Sequence, residues 1–298
     1  MVTLPDALVS PLLRLAGANK PFVTAAGARK RLEDNVLRPA AYGPPKRLRS
    51  DVRVDVVQDR HWPVYTVTPT ATPRPAGSVV YAHGGGWVNQ IVGFHWRLIA
   101  DIAAEAGVAV TVPIYPLVPY GTAGETRDRV VELVRSDLEK YGPTCLAGDS
   151  AGGQIALSAA LQLRDDGVRL PMTTLISPAL DLTFSNPQIP DVQPTDPWLG
   201  TEGATVFAEA WRGDLPMTDP AVSPLFGDLT GLGPLTVFIG SRDVLNPDVH
   251  LLEKKARDAG VEITVHEKAG QVHVYPLLPT RIGREGSAAV VESIKRAL

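Results

Sequence analysis

TCLAGDSAGGQIALSAALQLRDDG, residues 144–167, changes its hydrophobic rhythm halfway along. TCLAG is a short unbroken apolar run, the pattern of a strand buried on both faces. Beyond Ser150, the residues Ile155, Ala156, Ala159, Ala160 and Leu163 recur at helical spacing. Between the two lies Gly148-Asp149-Ser150-Ala151-Gly152, a Gly-x-Ser-x-Gly turn. The bare pentapeptide arises by chance in roughly one chain in ten of this composition, so its setting decides. Strand, five-residue turn and helix form the bend on which a nucleophilic serine is held, with glycines letting the two backbones approach. The same bend sets Ser150 at a helix N-terminus, where Ala151 offers a free N–H and the dipole favours negative charge. A plain serine N-cap is the competing reading, and the strand before it weighs against that.

Outward from this stretch the alternation continues. Strand-like runs are SVVYA (78–82), VAVTV (108–112), MTTLIS (172–177), LTVFIG (235–240) and VEITVH (261–266). Helical stretches such as WRLIADIAAEAG, ETRDRVVELVRSDLEKYG and LLEKKARDAG lie between them, each stopping at glycine. The pattern predicts right-handed βαβ crossovers and a mostly parallel sheet with helices on both faces. DVRVDVV (51–57) and PVYTVT (63–68) alternate with period two and predict an antiparallel hairpin leading in. Residues 1–45, with Leu4, Leu8, Leu12 and Leu15 at helical spacing, precede the sheet and are expected to cap it. A proline-crowded insertion at about 185–234 is expected to complete that cap, leaving 46–298 as the catalytic domain.

Composition narrows the class. The 29 Lys and Arg against 32 Asp and Glu leave a net charge of −3, so no broad basic field is available for nucleic acid or an anionic membrane. Cys145 is the only cysteine, which excludes an internal disulfide and a Cys-based zinc site. There is no basic leader with a continuous apolar core and no window of membrane-spanning length, so a cytoplasmic location is expected. A homodimer through an edge strand or the cap surface is compatible with the sequence, and no stretch requires it.

His83-Gly84-Gly85-Gly86 follows the first parallel strand. Three glycines are costly in chain entropy and pack nothing, which points to backbone N–H groups as the working part. A serine attacking a carbonyl creates an oxyanion that needs fixed donors, and bare glycine amides supply them without a Cβ in the way. Gly84 and Gly85 are the expected donors, with Ala151 as a third. A phosphate loop is the rival reading, but no Walker or dinucleotide glycine pattern is present.

The serine needs a base. Of six histidines, His273 in the loop AGQVHVYP follows the last strand, at the sheet edge where binding residues collect. His83 is better read as orienting its own loop. A carboxylate should hold the imidazole, and Asp243 stands three residues past the strand 235–240. Asp248 lies further on and suits a helix N-terminus. Ser150, Asp243 and His273 then occur in the chain order of the α/β-hydrolases. Trp87 and Tyr275 adjoin these residues and Trp198 lies in the insertion, so all three are expected to line the substrate pocket.

With HGGG at 83–86, GDSAGG at 148–153, YPLVP at 115–119, SPALDLT at 177–183, SRDVL at 241–245 and the His273 loop, the chain resembles the hormone-sensitive-lipase-like carboxylesterases, bacterial group IV. The likeness runs from about residue 50 to the end. It implies the α/β-hydrolase fold, an N-terminal helical cap, no cofactor, and hydrolysis of short to medium acyl esters. The family usually has Tyr-Arg-Leu-Ala-Pro where Tyr115–Pro119 stand, and Gly-Phe where Val274 and Tyr275 stand; both departures bear on pocket shape. The expected function is that of a serine carboxylesterase acting on a small-molecule ester. An amidase, lactonase or thioesterase would use the same triad, and a non-catalytic receptor would be expected to lack its serine or histidine.

Overall fold

The computed structural model describes residues 3–72, 74–75 and 77–298. Residues 1 and 2 of the expected cap segment, and 73 and 76 of the expected catalytic domain, lie outside them. The strands are β1 (Val52–Asp59), β2 (Trp62–Pro69), β3 (Ser78–Ala82), β4 (Ala109–Pro113), β5 (Thr144–Asp149), β6 (Thr173–Ile176), β7 (Leu235–Gly240) and β8 (Ile263–Lys268). The helices are α1 (Asp6–Leu15), α2 (Lys20–Val23), α3 (Ala25–Leu37), α4 (Gly93–Ala106), α5 (Ala123–Tyr141), α6 (Ala151–Asp165), α7 (Ile189–Val192), α8 (Thr201–Trp211), α9 (Asn246–Asp258) and α10 (Arg281–Ala297).

The eight strands of the described residues form one sheet in the order β1-β2-β4-β3-β5-β6-β7-β8. From β4 to β8 across the sheet every pairing is parallel, while β1–β2 and β2–β4 are antiparallel. Strands β3 to β7 in the middle are wholly buried, as their unbroken apolar runs require. At the edges, β1 and β8 alternate and face solvent on one side. Two apolar layers cover the sheet. One includes α5, α6 and α9, with Val134, Leu157 and Leu252; the other includes α4 and α10, with Trp96, Ile99 and Ile294. No helix of the described residues is long and apolar enough to cross a membrane.

The N-terminal helices and the insertion meet over the C-terminal strand ends. Phe22 of α2 packs edge-on to Phe207 of α8 with ring centroids 5.6 Å apart. A Cβ on Gly203 would stand 2.5 Å from the carbonyl oxygens of Pro21 and Phe22, so α8 and α2 touch backbone to backbone. The insertion is less uniform than its prolines suggest. It contains the three-turn helix α8, whose own sequence, TEGATVFAEAW, is free of proline. Beyond it, the chain descends along α6, where Arg164 donates to the carbonyls of Asp228 and Thr230 at 2.7 and 2.6 Å.

Candidate active site

Ser150 joins β5 to α6 with φ +53° and ψ −117°, a strained region for a residue with a side chain. The glycines around it permit this. A Cβ on Gly148 would lie 2.2 Å from the Gly152 carbonyl oxygen, and one on Gly152 would lie 2.0 Å from that of Ala82. Helix α6 therefore starts in backbone contact with β3. Ser150 N–H donates to Ile176 O at 2.8 Å, which ties the bend to β6.

The next two strand ends deliver the partners. Past β7, Asp243 is fully buried; past β8, His273 is 3% exposed. His273 Nδ1 lies 2.8 Å from Asp243 Oδ2, and His273 Nε2 lies 2.8 Å from Ser150 Oγ. The carboxylate can only accept, so Nδ1 carries the proton and Nε2 is left to receive one from the serine. The other Asp243 oxygen accepts the Leu245 N–H at 3.0 Å. Burial pulls the His273 pKa down, but the charge and hydrogen bond of Asp243, helped by Asp196 and Asp149, outweigh it and leave the imidazole above its ordinary 6.5. The loop itself is pinned by Ser177, whose Oγ accepts the Val274 N–H at 2.9 Å.

Asp196, in the insertion, is a second carboxylate behind this pair. One of its oxygens accepts the N–H groups of Trp198 and Leu199 at 2.8 and 3.0 Å; the other accepts Val244 N–H at 2.9 Å. It fastens the insertion to the loop that carries Asp243. Burial, reinforced by the Asp243 charge, pushes the Asp196 carboxyl up to about 6.

The glycine loop corrects one expectation. Gly84 N–H donates to Asp149 Oδ1 at 2.9 Å and is spent there. Gly85 and Gly86, not Gly84, line the cavity with Ser150. Among the described residues no protein acceptor takes their N–H groups. Their φ values of +123° and +61° suit glycine, and a Cβ on Gly85 would meet Asn89 O at 2.5 Å. Gly86 therefore replaces Gly84 as the partner of Gly85, with Ala151 opening α6 beside them.

Asp149 organises this corner. It also accepts from Tyr81 Oη at 2.8 Å and lies 3.1 Å from His95 Nε2. His95 Nδ1 accepts Val92 N–H, so its Nε2 carries the proton and donates. Burial pushes the Asp149 pKa up, yet the His95, Tyr81 and Gly84 donors outweigh it and hold it below the usual carboxylate range. His83 serves its own loop as expected: Nδ1 lies 2.7 Å from Gly84 O and the ring stacks on Tyr115 at 4.4 Å. Burial takes its pKa down to about 4.

Two cavities meet at Ser150 and Gly86. The larger, about 550 Å³, includes His273, Trp198, Leu199 and, from the N-terminal helices and the turns between them, Leu13 and Phe22. The smaller, about 40 Å³, includes Ala151, Trp87, Phe184 and Phe207. Trp198 stands edge-on to His273 with centroids 5.8 Å apart. Trp87 lies on the small side, with its indole N–H bonded to Gln154 Oε1 at 3.1 Å, an acceptor shared with Trp211 at 2.9 Å. Tyr275 lines neither, which overturns its expected role. Val274 takes φ +47° and turns toward the large cavity. Tyr275 then starts a 3-10 turn on the opposite side, packed against Gly286 of α10.

Gly86, Asp149, His95, Gln154 and Asp196 were not singled out from sequence. Asp149 and Gln154 sit within residues 144–167, where a carboxylate ending a wholly buried strand could have been read as one needing partners. Asp196 carries no local signal.

Comparisons with known proteins identify the family to which this fold belongs. The family model for the alpha/beta hydrolase fold matches residues 79–277. A triacylglycerol lipase of Mycobacterium tuberculosis is 31% identical over 91% of this chain, which spans only 59% of that protein. An acetyl-hydrolase of Streptomyces hygroscopicus is 32% identical, covering 76% of this chain and 77% of its own. The crystal structure of an esterase from the bacterial hormone-sensitive lipase family superposes with a TM-score of 0.83 at 25% identity, covering 100% of this chain and 99% of that one. A parallel sheet with a strained serine bend, matched over most of its length by such relatives, leaves one assignment: the chain belongs to the α/β-hydrolase fold family, among its hormone-sensitive-lipase-like esterases.

Proposed function

We propose that this protein is a serine carboxylic ester hydrolase that works through an acyl-enzyme. Ser150 Oγ attacks the ester carbonyl carbon as His273 Nε2 takes its proton. The carbonyl π pair moves onto oxygen, where the N–H groups of Gly85, Gly86 and Ala151 hold the charge. Collapse breaks the bond to the alcohol oxygen, which leaves with the proton from His273. Water, deprotonated by the same nitrogen, then displaces Ser150 and releases the acid. Asp243 stays ionised, keeps Nδ1–H in place and stabilises the transient imidazolium.

One observation carries the reading: an unbroken Ser150–His273–Asp243 chain, 2.8 Å at both links, opening on a largely apolar cavity beside unbonded glycine amides. The similarity to a lipase, an acetyl-hydrolase and an esterase supports ester chemistry. In this reading α1 to α3 and α8 act as the cap that keeps water from the site.

Ser150→Ala tests it. Its kcat on a soluble aryl ester should fall by about 10⁵–10⁶. An activated aryl ester should leave an acyl group on the Ser150 peptide of the unaltered enzyme, read by mass spectrometry. Retention of most activity in the variant rejects the assignment.

A further inference from the structure

The chain-wide balance of −3, too small for a broad basic field, conceals a division along the sequence. Residues 1–50 hold nine Lys and Arg against three Asp and Glu, whereas residues 51–298 hold 20 against 29. The positive part supplies Leu13, Ala18, Pro21 and Ala40 to the wall of the large cavity over Ser150. Arg14, Lys20 and Arg38 each stand within two residues of one of these and are exposed. Among the described residues of α1 to α3, the one ion pair is Lys30 with Asp34 at 3.7 Å. At the start of α4, Arg97 lies 5.4 Å over the ring of Phe94, another wall residue. The same rim is apolar. On α1, Leu8, Leu12 and Leu15 recur at helical spacing and are 48, 41 and 85% exposed, while Val9 is buried. Val92 and Phe94 line the cavity and are also exposed. Seven of the fourteen large apolar side chains exposed among the described residues fall in residues 8–42, where a solvated helix face would carry polar ones.

We infer that this rim docks the protein on an anionic lipid surface, with α1 in the headgroup layer and the large cavity facing the lipid. A helix that lies in such a layer pairs an apolar face with basic residues, and attachment becomes firm when two signals of this kind combine. The leucine stripe is one signal and the cations beside the mouth are the other. Charges act over about 10 Å in 0.1 M salt, so the acidic remainder of the chain, held away from the surface, orients the molecule without cancelling the attraction. A second copy is the poorer occupant. Seated on the same face by a two-fold axis, it would set Arg14, Lys20 and Arg38 against their own equivalents. Docking is independent of the chemistry; that the surface hands lipid-dissolved esters to Ser150 rests on the hydrolase reading above.

Vesicle sedimentation tests this, with Ser150→Ala beside the unaltered chain so that turnover plays no part. Phosphatidylcholine vesicles with about 30 mol% phosphatidylglycerol should bind the protein about a hundredfold more tightly than phosphatidylcholine alone, at about fivefold per cation. High salt should erase that advantage. Arg14→Gln, Lys20→Gln and Arg38→Gln together should remove most of it. Leu8→Ser, Leu12→Ser and Leu15→Ser together should weaken binding by about tenfold or more, while hydrolysis of a soluble aryl acetate stays within about twofold of the parent. A water-insoluble aryl ester carried in the anionic vesicles should be cleaved about tenfold more slowly by the leucine variant. Equal binding to the two vesicle types, or a leucine variant that binds like the parent, overturns the docking; equal rates on the vesicle-borne ester overturn the delivery. A parent dimer that the leucine variant converts to monomer in light scattering assigns the stripe to a second copy and also overturns it. If binding follows this pattern and the unaltered chain cleaves no ester, the docking stands and the hydrolase reading fails.

Discussion

Replacing Asp149 by Asn tests how the oxyanion loop is held. Asp149 Oδ1 accepts from Tyr81 and Gly84 while Oδ2 accepts from His95 Nε2–H. An Asn can keep its oxygen on the first pair, but its NH₂ then faces the His95 N–H. Switching the histidine tautomer moves the conflict to Nδ1, which must accept from Val92 N–H. Flipping the amide instead aims NH₂ at Gly84 N–H, which can only donate. Every arrangement strands a buried or half-buried donor. A hydrogen bond to a charged group is worth about 1.5–3 kcal/mol and a stranded buried donor costs about 1–3 kcal/mol; the range common to both gives a loss of about 1.5–3 kcal/mol. Gly84 adjoins Gly85 and Gly86, so the loop shifts as well. Loss of one oxyanion donor costs about 10²–10³ in rate, and a displaced loop should lower kcat by about tenfold to a hundredfold while KM stays within about threefold. Urea unfolding and steady-state hydrolysis of an aryl acetate measure both. The sign with pH is fixed too. The folded pKa of Asp149 is depressed, so its stabilisation is present above the ordinary carboxylate range and is lost as pH falls through the lowered value. The Asn variant should lack that acid loss. Stability within about 0.5 kcal/mol of the parent, with kcat unchanged, would refute the reasoning.

Because His273 is held above its ordinary 6.5 and must be neutral to take a proton, kcat/KM should fall on the acid side of a midpoint above 6.5. Asp196 contributes to that rise, so Asp196→Asn should move the midpoint to lower pH; a stationary midpoint excludes the electrostatic role. Asp248 is fully buried, bonded to Asn186 through one oxygen with the other unpartnered among the described residues, and burial first, then Asp181, pushes it up to about 6. Its favourable contribution is therefore complete below the ordinary carboxylate value and lost as pH rises through about 6. Asp248→Asn should stabilise the protein by about 2 kcal/mol at pH 8 and by almost nothing near pH 4, read as Tm against pH. Arg31→Ala should lower kcat by about threefold to tenfold with folding intact, because Arg31 Nε holds Asn89 Oδ1 at 2.8 Å and Asn89 in turn donates twice to Gly85 O. An unchanged kcat removes α3 from the loop's support.

The parallel sheet was legible because strands β3 to β7 are buried on both faces, and a short continuous apolar run bounded by turn residues has few other uses. Ser150, Asp243 and His273 could be proposed for a related reason: each follows a strand, and in a parallel sheet all such loops open on one edge. What escaped was partnership. Gly84 and Gly86 are identical letters, and only the Asp149 carboxylate, placed across from them by the β3–β5 register, decides which amide is consumed and which is left bare. Tyr275 was misread because a non-glycine residue with positive φ precedes it, and that single turn exchanges the faces of Val274 and Tyr275. Helix α8 was hidden by the prolines before it, which end where the helix begins.

The N-terminal helices carry a consequence beyond that of a cover. Arg31 reaches the glycine loop through Asn89, and Asn35, also on α3, donates to the Val88 carbonyl. Gln154, two residues past the elbow's second glycine, gathers the indoles of Trp87 and Trp211 on one oxygen and donates to Ala221 O at 2.6 Å. Loop, elbow and cap therefore share hydrogen bonds. A cap joined only by apolar contact could slide with little change at the oxyanion amides. This one cannot move without drawing on residues 85–89, so its closure and the alignment of the donors are mechanically one event. Substrate size and turnover should accordingly vary together: a substitution that opens the α2–α8 contact, such as Phe22→Ala against Phe207, should lower kcat on even the smallest acetate. If it changes only KM for bulky esters, the cap is a passive wall and the coupling argued here is wrong.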